Sequence, residues 1–364
     1  MKPYVPPSLP LQSLNWALFV RYIGQANAAL ARYDGVLQGI VNPAILLSPL
    51  TTQEAVLSSR IEGTEATLEE VLEFEAAPEA MSPRIEDIKE IINYRTAMSV
   101  AVNELRERPI SLNMVKRIHA VLLESVRGQN KARGEFRRVQ NWIGRPGSSI
   151  EDATFVPPSP HNLMDHLTNL ENYVHYDEKD RLVQLAIIHA QFELIHPFLD
   201  GNGRVGRILI PLFLHEKKLL SSPMFYLSSY LEANRDMYYN RLKGISEKGD
   251  WDGWIRFFLE AIVNQSKDNC DKAMAILSLY DRMKHMVPDI THSQYSIQAI
   301  DTMFGSPVFT TTEFVRRSQI PKVSAMRMLS SLQEHDILIC LRESRGRRPA
   351  MLMFRELIYS AEGR

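Results

Sequence analysis

Apolar residues recur at helical spacing through most of this 364-residue chain, which points to a largely α-helical fold before any single residue is weighed. Residues 14–37 set the pattern. In TTQEAVLSSRIEG, Thr51 or Thr52 is placed to cap a helix whose apolar residues Ala55, Val56 and Ile61 fall near one side, and Gly63 to end it. The pattern returns over 85–105, just after Pro83, and over 112–126, with Ser111 as cap. Further helices are expected over 162–176, 181–195, from Gly203 to Leu214, over 230–243, and from Trp251 to about Met286, where Pro288 interrupts.

Two stretches escape this period. GEFRRVQNWIGRPGSSIEDATFVPPSP carries two short runs, 136–143 and 154–156, joined by a polar loop, and reads as a β-hairpin. From about Ser293 the elements shorten: TTEFVRRSQI and PKVSAMRMLSSLQEHDIL predict two helices around a tight turn. Two β-prone runs then flank the arginine-rich RESRGRR. That order matches a winged helix-turn-helix. Residues 293–364 hold ten Lys and Arg against seven Asp and Glu, so Arg345, Arg347 and Arg348 are candidates for contact with DNA phosphate, or simply a solvated turn.

A formal net charge of -1 excludes a global field toward nucleic acid or acidic membranes. Cys270 and Cys340 are too few for a zinc site or a disulfide framework, which suits a reducing compartment. MKPYVPPSLPLQ puts prolines where a signal peptide needs an apolar core, and no apolar run is long enough to span a bilayer. A soluble, cytoplasmic protein with no membrane partner is expected.

The string HPFLDGNGRVGR, from His196 to Arg207, concentrates the chemistry. Pro197 disfavours helical geometry at His196, so the preceding helix should stop there and leave the imidazole at a corner. Gly201 and Gly203 flank Asn202 and permit positive φ, which lets backbone N–H groups converge on an anion. A helix starts directly behind, adding its unpaired N–H groups and dipole, and Arg204 and Arg207 project charge from one side. Asp200 sets a carboxylate where a magnesium ion shared with phosphates would fit. GNGRVG also matches a dinucleotide fingerprint, but that motif must follow a strand, and here a helix precedes it. His119, His189 and His215 lack partners at zinc spacing and read as structural.

HPFLDGNGRVGR resembles, position for position, the signature of the Fic family. The resemblance implies a protein adenylyltransferase that moves AMP from ATP, with Mg2+, to a Ser, Thr or Tyr hydroxyl of a target protein or of itself. It implies His196 as general base, Asp200 as metal ligand, and Gly201, Asn202, Gly203, Arg204 and Arg207 as phosphate binders. Ser58-x-x-x-Glu62-Gly63 resembles the inhibitory motif of many Fic proteins, in which the glutamate pairs with the second arginine of the signature; the inferred partner is Arg207, and Glu62 would thereby intrude on the nucleotide site. An exposed helical glutamate is the plainer alternative. The 136–156 hairpin corresponds to the family's flap, which pairs with a target segment, and SYLEANRDMYYNRL to the region lining base and ribose, with Asn234 as the contact. Expected overall is a mostly α protein, a Fic helical core with a small β-hairpin flap, followed by a winged helix-turn-helix. Its regions would be 1–95 with the inhibitory motif, the core 96–265, a linker helix 266–292 and the tail 293–364. Competing readings keep the site but run it in reverse as a de-AMPylase, or make the chain a nucleotide-sensing DNA-binding regulator. Oligomers are compatible with either, and transfer of phosphate or phosphocholine fits less well with an intact glycine loop.

Overall fold

The computed structural model describes residues 2–364 apart from 79–82, 125, 127–130, 146, 148 and 347, so Arg347 lies outside the described residues. The chain divides into two compact units, each discontinuous in sequence. The first comprises Met1–Asp34, Leu57–Gly63 and Ile92–Lys267, and the second Gly35–Val56, Thr64–Ile91 and Asp268–Arg364. Regions taken serially along the chain are therefore interleaved. The short segment carrying Ser58 and Glu62 is counted with the signature, and most of what surrounds it in sequence is counted with the tail.

The first unit is built around the helix Arg181–Ile195, whose residues are nearly all buried. Such a helix needs apolar or paired side chains on every face. Trp254 satisfies one of its carbonyls, donating Nε1–H to Ala186 O at 2.8 Å. The helices Leu163–Val174 and Asn202–Glu216 pack on it. The proline-rich lead-in is extended and pinned: Tyr4 N donates to Val156 O, Gln191 Nε2 to Pro7 O, and Asn169 Nδ2 to Leu9 O.

In the second unit the helices Thr311–Ser318 and Lys322–Glu334 are joined through Gln319 at φ +57, followed by a three-stranded antiparallel sheet. Its strands, β1 (Val308–Thr310), β2 (Ile339–Arg342) and β3 (Met351–Met353), lie in the order β1-β3-β2, with Val308 and Ile339 both opposite Met353. Arg345 and Arg348 form a single bridge in the turn between β2 and β3. The helix Leu68–Ala76, set by a Thr67–Glu70 capping box, packs on β1. Pro43–Leu46 packs on Ser296–Gly305, so early and late parts of the chain share one unit.

Four local expectations are corrected. The helix carrying the Ser58 motif starts at Ser48, so Thr51 and Thr52 lie inside it and their hydroxyls bond back to Leu47 O and Ser48 O. Residues 230–243 are broken at Asn234 into Ser228–Ala233 and Arg235–Lys248. Pro288 does not interrupt: Trp251–Thr291 is one 41-residue helix, because a proline in the last turn removes one bond while the rest of the ladder continues. Residues 266–292 are thus mostly its second half. Finally, among its described residues the 136–156 hairpin forms no named strand and is reduced to one antiparallel bridge, Ile143 with Phe155. Arg137 explains the difference, because its backbone N–H and side chain are turned to the neighbouring loop and not to a partner strand.

Among the described residues no helix is long and apolar enough to cross a membrane, and Cys270 and Cys340 are both free. The helix that ends at His196 begins with Asp180, whose Oδ1 accepts from the N–H groups of Leu182 and Val183, each at 2.9 Å. Asp180→Ala is expected to cost about 1 kcal/mol and Asp180→Asn far less, read as the shift in the urea unfolding midpoint.

Candidate active site

His196 ends the long buried helix in the left-handed region, at φ 48 and ψ 62. A non-glycine residue stays there only when its surroundings hold it, and here Pro197 forbids the helical alternative. The holding group is Arg137, a residue that sequence reasoning placed in the hairpin and gave no role. It is 2% exposed and donates from Nε to His196 O at 2.9 Å. Its second terminal nitrogen donates to Pro158 O at 2.6 Å and Ile195 O at 3.3 Å, and its backbone N–H to Pro197 O. Asn141 adds Nδ2–H bonds to Phe198 O at 2.9 Å and His196 O at 3.4 Å. Burial pulls the Arg137 pKa down to about 10, which leaves it charged at neutral pH. Only its position two residues after Glu135 in a polar run was visible in sequence, and that signals nothing about burial.

The imidazole of His196 is in hydrogen-bond contact with Glu193 O through Nδ1, at 3.3 Å. A carbonyl only accepts, so Nδ1 carries the proton and Nε2 keeps a lone pair. Burial is the main cause that pushes the pKa of this ring down, to about 4, so it is neutral at pH 7. The unprotonated Nε2 is the group a general base requires.

The loop after His196 is tied from inside. Asn202 accepts from Phe198 N at 2.8 Å through Oδ1 and donates to Phe198 O at 2.9 Å through Nδ2. Its side chain shapes the loop, and it is the backbone N–H groups of Asn202–Arg204 that are left to face an anion at the helix N-terminus. Gly201 sits at φ +77, where a Cβ would meet Leu122 at 3.3 Å, so glycine is required both by conformation and by space. His119 is buried and stacks on Phe198 with ring centroids 3.8 Å apart. Its Nδ1 accepts from Gly134 N, so Nε2–H donates to Asp200 O at 3.1 Å. These contacts make His119 a support for this loop. His189 similarly bridges Gly206 O and the Tyr238 hydroxyl.

Asp200 is partly exposed. Its Oδ1 accepts from Gly201 N at 2.6 Å and lies 3.5 Å from a terminal nitrogen of the buried Arg204. Among the described residues no cluster of three or more metal-binding side chains exists. A lone accessible carboxylate beside a phosphate cradle suits magnesium, which is usually held by one or two carboxylates together with substrate phosphates and water; Asp200 would be that ligand.

Arg207 is 1% exposed and is met from the helix Ser48–Ile61. Its Nε donates to Ser58 Oγ at 2.8 Å, and one terminal nitrogen donates to Ser58 O at 2.9 Å and Glu62 Oε1 at 2.6 Å. Ser58 and Glu62, four apart, do reach the same guanidinium. Burial raises the Glu62 pKa, but the Arg207 charge and hydrogen bond outweigh it, so Glu62 is held below its ordinary value. Gly63, at φ +101, lets the chain turn away after the contact. A Cβ on Gly203 would collide with the Glu62 carboxylate and come within 2.9 Å of Arg207, so that glycine makes room for the ion pair. Asn234 lies apart from this cluster in the bonds it makes: at the junction of two helices, its Nδ2 donates to Tyr230 O at 2.9 Å.

The site is thus a helix-capping histidine, a glycine turn and two buried arginines opening the next helix. A model described as Fic/DOC family N-terminal matches residues 20–103, and one described as Fic/DOC family matches 109–214. The chain belongs to the Fic/DOC family. It is 30% identical over 196 residues to a probable protein adenylyltransferase of Aquifex aeolicus, covering 52% of this chain and 56% of that protein. It is 28% identical to protein adenylyltransferase Fic of Drosophila grimshawi over 55% of this chain and 39% of that one. The matches thus span about half or less of these relatives. Among solved structures, a Fic family protein of Desulfovibrio desulfuricans superposes with a TM-score of 0.58 at 17% identity, covering 97% of this chain and 98% of the other. A Fic domain containing signaling protein of Bacteroides thetaiotaomicron gives 0.56 at 16%, over 70% and 97%. The fold is the mostly helical Fic fold with a small three-stranded antiparallel sheet near the carboxyl end.

Because the Arg137 side chain donates to the carbonyls of Ile195, His196 and Pro158, Arg137→Ala strands several acceptors. It is expected to lower stability by roughly 3 kcal/mol, measurable by calorimetry.

Proposed function

We propose that this protein is an adenylyltransferase that moves AMP from ATP to a hydroxyl of a target protein or of itself, and that Glu62 restrains it. The observation that carries the reading is the neutral His196, with Nε2 unprotonated, at the mouth of a loop followed by two buried arginines. In the reaction the target oxygen attacks the α-phosphorus, its proton passes to His196 Nε2, and the bond to pyrophosphate breaks. Backbone N–H groups of Asn202–Arg204, in the loop that Gly201 turns, and the charges of Arg204 and Arg207 hold the phosphates and offset their negative charge. Magnesium, held by Asp200, supplies further charge neutralisation when bound. Segment 139–143, with Val139, Trp142 and Ile143 exposed, is the surface proposed for the target backbone.

Restraint follows from competition. A carboxylate seated on Arg207 occupies the guanidinium that a phosphate would use, and a charge-assisted contact of this kind is worth ~1.5 to 3 kcal/mol. That corresponds to roughly a ten- to hundredfold change in the competent population. In the reverse reading Glu62 orients water for removal of AMP.

Incubation with ATP labelled at the α-phosphate, alone and in lysate, tests the assignment. Glu62→Gly should raise incorporation roughly ten- to hundredfold over the natural protein, and adding His196→Ala should abolish it with the fold intact. Label retained in the absence of His196 would remove it as the base. If Glu62→Gly instead slows release of AMP from purified modified protein, the reverse direction holds. Asp200→Ala is expected to displace the magnesium dependence of incorporation to higher concentration; an unchanged titration would remove Asp200 as its ligand.

A further inference from the structure

The reading above uses one carboxylate at Arg207, but the site holds two. Glu193 lies on the last turn of the helix Arg181–Ile195, three residues before His196, and its Oε1 is buried with no hydrogen-bond partner among the described residues. That oxygen occupies the place where a Cβ on Gly206 would fall, next to Phe192, which a Cβ would meet at 3.2 Å. Glu62 occupies the equivalent place at Gly203. The two glycines are three apart on one helix, hence on one face, and each receives the carboxyl of a different segment. Both carboxyls interact with Arg207.

We infer that Glu193 is a positioning residue for Arg207: a second carboxyl, its Oε1 buried, that lies within reach of the guanidinium charge without contacting it, while Glu62 holds that guanidinium directly at the next glycine of the same helix face, so that the charge on one sets how firmly the other is held. The inference rests on the inhibitory role proposed for Glu62. The groups around Glu193 are Arg207, Glu62, Tyr238 and Tyr239 from Arg235–Lys248, and His189 and His196 on its own segment. Tyr238 and Tyr239 have raised pKa values and His189 and His196 lowered ones, all mainly by burial, so these four are neutral at pH 7. Arg207 and Glu62 are left as the charged neighbours. Burial raises the Glu193 pKa, Arg207 lowers it and Glu62 raises it again, bringing it to about 8.

At neutral pH the cluster is therefore one guanidinium, one carboxylate and one carboxylic acid. Above the Glu193 pKa it gains a second negative charge. Glu62, whose side chain is 33% exposed, is free to swing into water, and the inward-facing Glu193 is not. Ionisation of Glu193 should therefore loosen Glu62. By reciprocity, removing the Glu62 charge should lower the Glu193 pKa.

The test follows glutamate carboxyl carbons by 13C NMR between roughly pH 4 and 10, in the natural protein, Glu62→Gln and Glu193→Gln. One resonance should titrate near pH 8, vanish in Glu193→Gln, and move to lower pH in Glu62→Gln. The Glu62→Gln shift is read on the native Glu193, so it does not depend on how Glu193→Gln folds. A Glu193 resonance in the ordinary carboxylate range, or one indifferent to Glu62→Gln, overturns the inference. The second readout is the ratio of AMP incorporation by Glu62→Gly to that by the natural protein. It should narrow several-fold above about pH 8 and stay level when both carry Glu193→Gln. A ratio that exceeds one and is level with Glu193 in place refutes the positioning role. A ratio of one at every pH refutes the inhibitory reading instead, and the titration still decides whether the two carboxyls are coupled.

Discussion

Burying a guanidinium to 1% exposure is costly unless acceptors meet its donors. Arg207 is such a group, and much of the first unit can be followed outward from it. Ser58 and Glu62 supply acceptors from a segment 145 and more residues away in sequence. Gly203 and Gly206 stay bare so that carboxyls can approach. Meeting this one charge brings the segment Leu57–Gly63 into the unit that holds the signature, while its sequence neighbours belong to the other.

The His196 imidazole is held by a different device. His196 sits in a backbone conformation that most residues avoid, and the strain is offset by a second buried arginine, Arg137, which donates to carbonyls on both sides of it. One arginine thus fixes the corner where a proton would be taken and another fixes the charge that would meet phosphate. The tautomers follow from neighbouring carbonyls and N–H groups: His196 keeps its proton on Nδ1 because Glu193 O can only accept, and His119 on Nε2 because Gly134 N can only donate. The chemistry proposed for the site depends on these backbone groups as much as on the residues that would touch nucleotide.

The ends of several elements could be read directly from the chain, because the forces that set them are local. Pro197 stops the helix at His196, Ser111 caps its helix, Gly63 releases the chain after the Glu62 contact, and Ile85–Leu105 and Arg181–Ile195 match their apolar periods. The misreadings are also physical. Thr51 and Thr52 have the chemistry of caps but bond backward inside a helix that Ser48 and Pro49 had already begun. The two short β-prone runs had no competing pattern in sequence, yet Arg137 draws the first toward the loop after His196 and leaves one bridge among the described residues.

Of the candidate site, the linear string from His196 to Arg207 and the four-residue spacing of Ser58 and Glu62 were determined by sequence alone, since turn glycines, a helix-stopping proline and a shared helix face act within a few residues. Tertiary structure alone decided that Arg137 and His119 brace the loop, that the Asn202 side chain is spent inside it, and that Glu193 turns its carboxyl onto Gly206. Burial and long-range partners settle those roles. A carboxyl on this apolar helix has its pKa raised because packing removes its water, with the Glu62 charge adding to the rise and the Arg207 charge opposing it.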